Sequence, residues 1–127
     1  MSLQEYFENI KGLGVLATTD ADGQCNTAVY SRPYFVEGGD EKTVAFIMAD
    51  HKSHANVAVN PKAAYLFKEE GEGYAGVRLT LTKIAEETDP EKIAAVRRKP
   101  SCCCGQECKS EFLVTFRVEE ERPLVGD

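Results

Sequence analysis

The chain opens on a helical period. Leu3, Tyr6, Phe7 and Ile10 recur at i, i+3, i+4 and i+7 and make one apolar face, and Ser2 with Glu5 forms a capping box ahead of it. Gly12 and Gly14 read as the end of that helix. The pattern then shortens to that of strands. Val15-Leu16-Ala17-Thr18-Thr19 is a short strand, and Asp20-Ala21-Asp22-Gly23 is a turn by composition. Residues 26–36 are rich in β-branched and aromatic side chains, with Pro33 marking an edge or a bulge. Gly38-Gly39-Asp40 makes a second turn, and residues 43–48 form a third strand that is apolar throughout and therefore expected to be buried.

Asp50 is placed to cap a helix over residues 51–59, which Asn60-Pro61 stops. Residues 63–67 read as a fourth strand. Val77, Leu79 and Leu81 alternate with Arg78, Thr80 and Thr82, so a fifth strand has one wet face. Asp89-Pro90 starts a further helix, with proline at its first position. The cations Arg97, Arg98 and Lys99 suit that helix's negative end, and Pro100 closes it. Phe112, Val114, Phe116 and Val118 alternate in a sixth strand. Several short strands, few helices and tight turns predict a mostly antiparallel sheet or barrel; a parallel α/β fold needs a helix between most strands. With no repeat and no long linker, residues 1–127 are expected to form a single domain.

Composition narrows the function classes. The formal charge of −6 argues against non-specific nucleic-acid binding, which draws on cations to neutralise phosphates. No apolar run has the length of a membrane span, and the acidic, amphipathic first residues do not read as a signal peptide, so a cytoplasmic protein is expected. Of the five cysteines, four lie in Cys102-Cys103-Cys104-Gly105-Gln106-Glu107-Cys108, unlike the spread framework of a secreted disulfide domain. Cys102, Cys104 and Cys108 are candidate metal ligands for zinc or an iron–sulfur cluster. Redox-sensitive pairing, favoured by the adjacent cations, is a second reading of these spacings, and free thiols in a loop are the favoured one over either.

Two further motifs carry candidate chemistry. Gly71-Glu72-Gly73-Tyr74-Ala75-Gly76 matches G-x-G-x-x-G, but a strand-like segment follows where a dinucleotide site needs a helix, so it is expected to be a hairpin loop. Asp50-His51-Lys52-Ser53-His54 sits at a predicted helix start, where unpaired N–H groups carry partial positive charge. Lys52 and Ser53 there could hold a phosphate monoester, although the commoner reading of such a segment is a capped surface helix with a solvated lysine. His51 and His54 lack further ligands nearby and are expected to be surface residues. No catalytic carboxylate pair or Ser/His/Asp set is evident, so any chemistry is expected to belong to a bound cofactor.

The order of these features resembles the pyridoxamine 5′-phosphate oxidase-like family, the FMN-binding split barrels. The resemblance runs from about Gly12 to Thr82, and the final strand also fits. It rests on Gly14-Val15-Leu16-Ala17-Thr18-Thr19-Asp20-Ala21-Asp22-Gly23, on Asn26-Thr27-Ala28-Val29-Tyr30, on residues 43–48, and above all on Lys52-Ser53 followed by Ala55-Asn56-Val57. It is particularly similar to the short FMN-binding proteins of sulfate-reducing bacteria. The resemblance implies a six-stranded antiparallel Greek-key split barrel that forms a homodimer, with FMN in a groove at the subunit interface. It implies that Lys52 and Ser53 hold the phosphate with Asn26 and Thr27, and that the backbone around Ala28, Val29 and Tyr30 faces the isoalloxazine ring. A small oxidoreductase or an electron carrier is expected, with a donor or acceptor that no residue identifies. The alternatives are a non-catalytic flavin- or haem-binding protein and a cysteine-based metal or redox sensor. The chain stops soon after its last strand and lacks the segment with which pyridoxamine phosphate oxidases hold substrate, so vitamin B6 oxidation is not expected. The cysteine cluster is not part of the family pattern.

Overall fold

A computed structural model describes residues 2–36, 39–96 and 111–126. The helix α1 (Leu3–Asn9) opens on the expected box: Ser2 and Glu5 exchange side-chain-to-backbone hydrogen bonds. It leads into β1 (Gly12–Thr19), β2 (Cys25–Val29), β3 (Thr43–Ala49), α2 (Lys52–Val59), β4 (Lys62–Glu69), β5 (Gly76–Glu87), α3 (Pro90–Val96) and β6 (Glu111–Pro123). The strands form one sheet in the order β2-β1-β4-β5-β6-β3, antiparallel throughout. This is the mostly β, six-stranded split barrel expected.

Curvature comes from irregular register and from a bridge across the open side. The β5–β6 ladder slips between Thr80 and Leu81 and again between Lys83 and Ala85. Such bulges bend a strand and increase its twist. The two sheet edges are then drawn together by the chain after β2. Tyr34 pairs with Ala45 of β3, N–H to carbonyl in both directions, at 2.7 and 2.8 Å. Pro33, which donates no ladder hydrogen bond, lies just before this bridge.

The concave face holds the core. Leu16, Val44, Phe46, Met48, Tyr65, Phe67, Leu79, Leu81, Val114 and Phe116 are all buried there, with Phe7 from α1 and Val57 from α2 closing it. Rings of Phe7, Phe46, Tyr65 and Phe67 meet mainly edge-on, the arrangement their quadrupoles favour. Arg32 donates to the Phe7 and Ile10 carbonyls and so fixes the end of α1. A smaller cluster of Ala45, Ile93 and Leu113 lies on the other face of the sheet beneath α3.

The expectations for the two glycines and for two strand ends change, while the hairpin-loop reading holds. Gly12 and Gly14 do not end α1, which closes at Ile10; both are strand residues. They are small because neighbours occupy the space of a side chain: a Cβ on Gly14 would lie 1.8 Å from the Tyr65 hydroxyl. β5 and β6 extend beyond their apolar alternation, to Glu87 and Pro123, because pairing continues where the side chains are exposed. The G-x-G-x-x-G segment is the β4–β5 hairpin, with Gly71 and Gly73 at φ of 106° and 92°, a region glycine enters without steric cost. Residues 97–110, including the candidate ligands Cys102, Cys104 and Cys108 and the cations beside them, lie outside the described residues. Among the described residues no helix is long and apolar enough to cross a membrane.

Candidate functional site at the start of α2

α2 rests against β1, β2 and β3, and one buried polar contact fixes where. The Asn56 amide donates to the Thr18 hydroxyl of β1 at 3.0 Å, and both side chains are almost fully buried. Inside a low-dielectric core such a bond is specific, because either group left alone carries its whole desolvation penalty. This accounts for Asn56 in the Ala55-Asn56-Val57 run: Asn56 sets the helix position while Val57 enters the core. Asn56→Ala is expected to lower stability by about 1–3 kcal/mol, since Thr18 loses its partner. Urea unfolding measures this, and an unchanged midpoint would show that the contact does not anchor α2.

The helix start is open to a ligand. His51 is the N-cap, with extended backbone and its carbonyl accepting from Ala55 N–H at 3.0 Å, and its side chain makes no capping hydrogen bond. Asp50, expected as the cap, instead approaches His54 Nδ1 at 3.7 Å. The N–H groups of the first helical turn therefore lack a capping side chain, unlike those of α1. Such groups carry the positive end of the helix dipole.

Side chains from three elements converge here. Lys52 is 58% exposed, with its ammonium 4.0 Å from Asp20 in the β1–β2 turn. Asp20 is itself held by N–H groups of Asp22 and Gln24, each at 2.9 Å. The Gln24 N–H above all, then Asp22 and the Lys52 charge, keep its carboxyl below the ordinary range, so it is an anion at neutral pH. Ser53 is buried, and its hydroxyl lies beside the Tyr30 phenol. Burial raises the Tyr30 phenol above its usual range, with the nearby Ser53 hydroxyl opposing, so it stays protonated.

Residues named from the sequence divide between two faces of β2. Asn26 and Ala28 pair with Thr18 and Leu16, whose side chains point inward, and Tyr30 follows them toward Phe46. Thr27 and Val29 fall on the opposite face, where Val29 is 71% exposed. Lys52, Ser53 and Tyr30 are thus brought together, with Asn26 and Ala28 on the same side of the sheet. Asp20 and the Asn56–Thr18 contact were missed, since each depends on a partner distant in the chain. His54, expected at the surface, is largely buried with its side chain only 13% exposed, and its ring stacks on Phe112 of β6.

The donor set suits a phosphate monoester: uncapped helix amides, an exposed ammonium and a serine hydroxyl at one helix start. Comparison with known proteins bears on the surrounding fold. No family model matches the chain, and no curated protein matches it. Solved structures do. One is an FMN-binding protein from Syntrophomonas wolfei, with a TM-score of 0.76 and 16% identity over 99% of this chain and 86% of that one. A pyridoxamine 5′-phosphate oxidase candidate from Lactobacillus delbrueckii gives 0.66 and 22%, over 94% and 88%. This is the fold of the pyridoxamine 5′-phosphate oxidase-like split barrels. HupZ of Group A Streptococcus has the same split barrel, with a TM-score of 0.69 and 22% identity over 96% of this chain and 90% of that one. At these identities the likeness concerns the backbone. What a given split barrel binds rests on its own side chains.

Proposed function

We propose that this protein is an FMN-binding flavoprotein, a small oxidoreductase or electron carrier, acting as a single-domain cytoplasmic homodimer. The observation that carries the reading is the uncapped start of α2, with Lys52 and Ser53 on it and Asn56 anchoring it, within a split barrel. The phosphate of FMN is held by Lys52, Ser53 and the first-turn amides, with Asn26 as a further polar contact. Tyr30 and Ala28 wall the inner side of the same site. Bound FMN supplies reversible electron and hydride transfer; the protein binds, orients and shields it. The half-buried, protonated Tyr30 lies behind Ser53 on that inner side.

Support for a dimer comes from the outer face of β2-β1-β4. Val29, Val15 and Leu66 lie side by side there in register, and Leu13 lies on the same face; Leu13, Val29 and Leu66 are exposed. A row of aliphatic side chains on a solvent-facing sheet is the composition of an interface.

Fluorescence titration of flavin-free protein with FMN and with riboflavin tests the reading. FMN is expected to bind more tightly, since only it carries the phosphate; equal affinities would remove the phosphate site. Asp20 adds a directional test. Its negative charge faces the same ammonium that the phosphate uses, while its Oδ1 holds the turn. Asp20→Asn keeps an oxygen for the turn and removes the repulsion, so FMN affinity is expected to rise about two- to fivefold. Weaker FMN binding in that variant would place the phosphate elsewhere.

A further inference from the structure

We infer that His54 is a positioning residue whose protonation ties anion affinity at the start of α2 to pH. The inference rests on the phosphate reading of that site and adds a regulation to it. His54 lies in the first turn of α2, next to Ser53, yet its ring faces the barrel rather than the ligand side. Nε2 is 3.0 Å from Glu86 Oε1 of β5, and Nδ1 is 3.7 Å from Asp50 Oδ1 ahead of the helix. The ring lies flat on Phe112 of β6, with centroids 3.8 Å apart and planes 10° apart.

Both ring nitrogens thus face carboxylates. A neutral imidazole has one N–H, which the 3.0 Å hydrogen bond to Glu86 uses, so its Nδ1 lone pair is left toward the Asp50 carboxylate; the imidazolium turns that 3.7 Å approach into an ion pair. Among the described residues the other charges around it are few. Lys83 Nζ binds the same Glu86 oxygen at 2.9 Å, so β5 supplies a cation as well as an anion. From β6 come the neutral Phe112 and, opposite Ala49, Glu111. Glu86, held by Lys83 and by His54 against the effect of burial, stays below the ordinary carboxylate range and so remains an anion well into acid. The protonated ring therefore joins β5, β6 and the segment before α2 at one point, one residue from Ser53. Loss of that proton frees one of the two carboxylate contacts and removes a positive charge from the helix start. Anion affinity then falls as pH rises through the His54 titration.

The test compares wild type with His54→Gln and His54→Ala. Glutamine keeps a donor for Glu86 and cannot titrate; alanine removes the contact. FMN dissociation constants are measured by flavin fluorescence from about pH 5 to about pH 8. The FMN phosphate titrates in this range too, so the quantity read is the ratio of wild-type to His54→Gln affinity, in which that effect cancels. NMR of the ring protons locates the His54 titration independently of flavin. The ratio is expected to fall about fivefold or more with rising pH, centred on the NMR midpoint. His54→Ala is expected to bind FMN less tightly than His54→Gln at high pH. A ratio independent of pH, with FMN still bound by both proteins, overturns the inference and leaves the flavin reading intact. Failure of all three proteins to bind FMN at any pH overturns both.

Discussion

Replacing Lys52 with alanine is expected to weaken FMN binding by about 1.5–3 kcal/mol, or roughly 10- to 150-fold. The size follows from the type of contact. An ammonium donating to a phosphate oxygen is a charge-assisted hydrogen bond, stronger than a neutral one and centred on a helix start that already favours anions. Lys52 is more than half exposed and packs against little, so its truncation is expected to leave the melting temperature unchanged. The loss therefore reports on the ligand and not on the fold. Riboflavin affinity is expected to be unaffected, and Lys52→Arg is expected to recover most of the FMN affinity because the charge returns. Unchanged FMN affinity in Lys52→Ala, measured by flavin fluorescence, would remove Lys52 from the site.

Gly14→Ala is expected to destabilise the fold by about 3 kcal/mol, the upper end of the range for overpacking. The added methyl would lie 1.8 Å from the Tyr65 hydroxyl, 2.4 Å from its ring carbon and 2.7 Å from the Tyr30 carbonyl. None of these can yield at little cost. Tyr65 is buried among Phe7, Phe46 and Phe67, and its hydroxyl donates to the carbonyls of Tyr30 and Ser31. Backbone and ring would have to separate, opening the β1–β4 ladder where the core is densest. The melting temperature is expected to fall by about 10 °C. Tyr65→Phe removes the atom nearest the new methyl, so it is expected to cost less in the Gly14→Ala background than in wild type. Equal costs in both backgrounds would contradict the packing described.

Much of the fold is legible in local pattern. Phe116 and Val118 alternate with less buried neighbours as a half-buried strand should, and residues 44–48 are continuously apolar because both faces of β3 are covered, one by the core and one by α3. The Ser2–Glu5 box works because its partners are three residues apart. The readings that changed all involve partners far along the chain. Gly12 and Gly14 look like a helix stop, and only the approach of Lys68 and Tyr65 from β4 shows why they lack side chains. Strand ends at Glu87 and Pro123 are set by backbone pairing, which leaves no apolar trace on an exposed face.

The site divides in the same way. Lys52 and Ser53 were visible because a cation and a hydroxyl at a helix start carry their chemistry in sequence. Asp50 matched the composition of a cap, but His51 takes that position, and Asp50 meets a ring nitrogen one turn on. His54 looked like a surface residue because Glu86, more than thirty positions away, and Phe112 are what bury it. The value of Asn56 likewise depends on Thr18, across a span that local pattern cannot bridge.

The most direct test of the central claim is the absorption spectrum of the protein purified without added cofactor, followed by denaturation and mass identification of what is released. The account predicts the two-band yellow spectrum of oxidised flavin and about one FMN per chain. A colourless protein that also fails to take up added FMN, or one that releases haem, would contradict it.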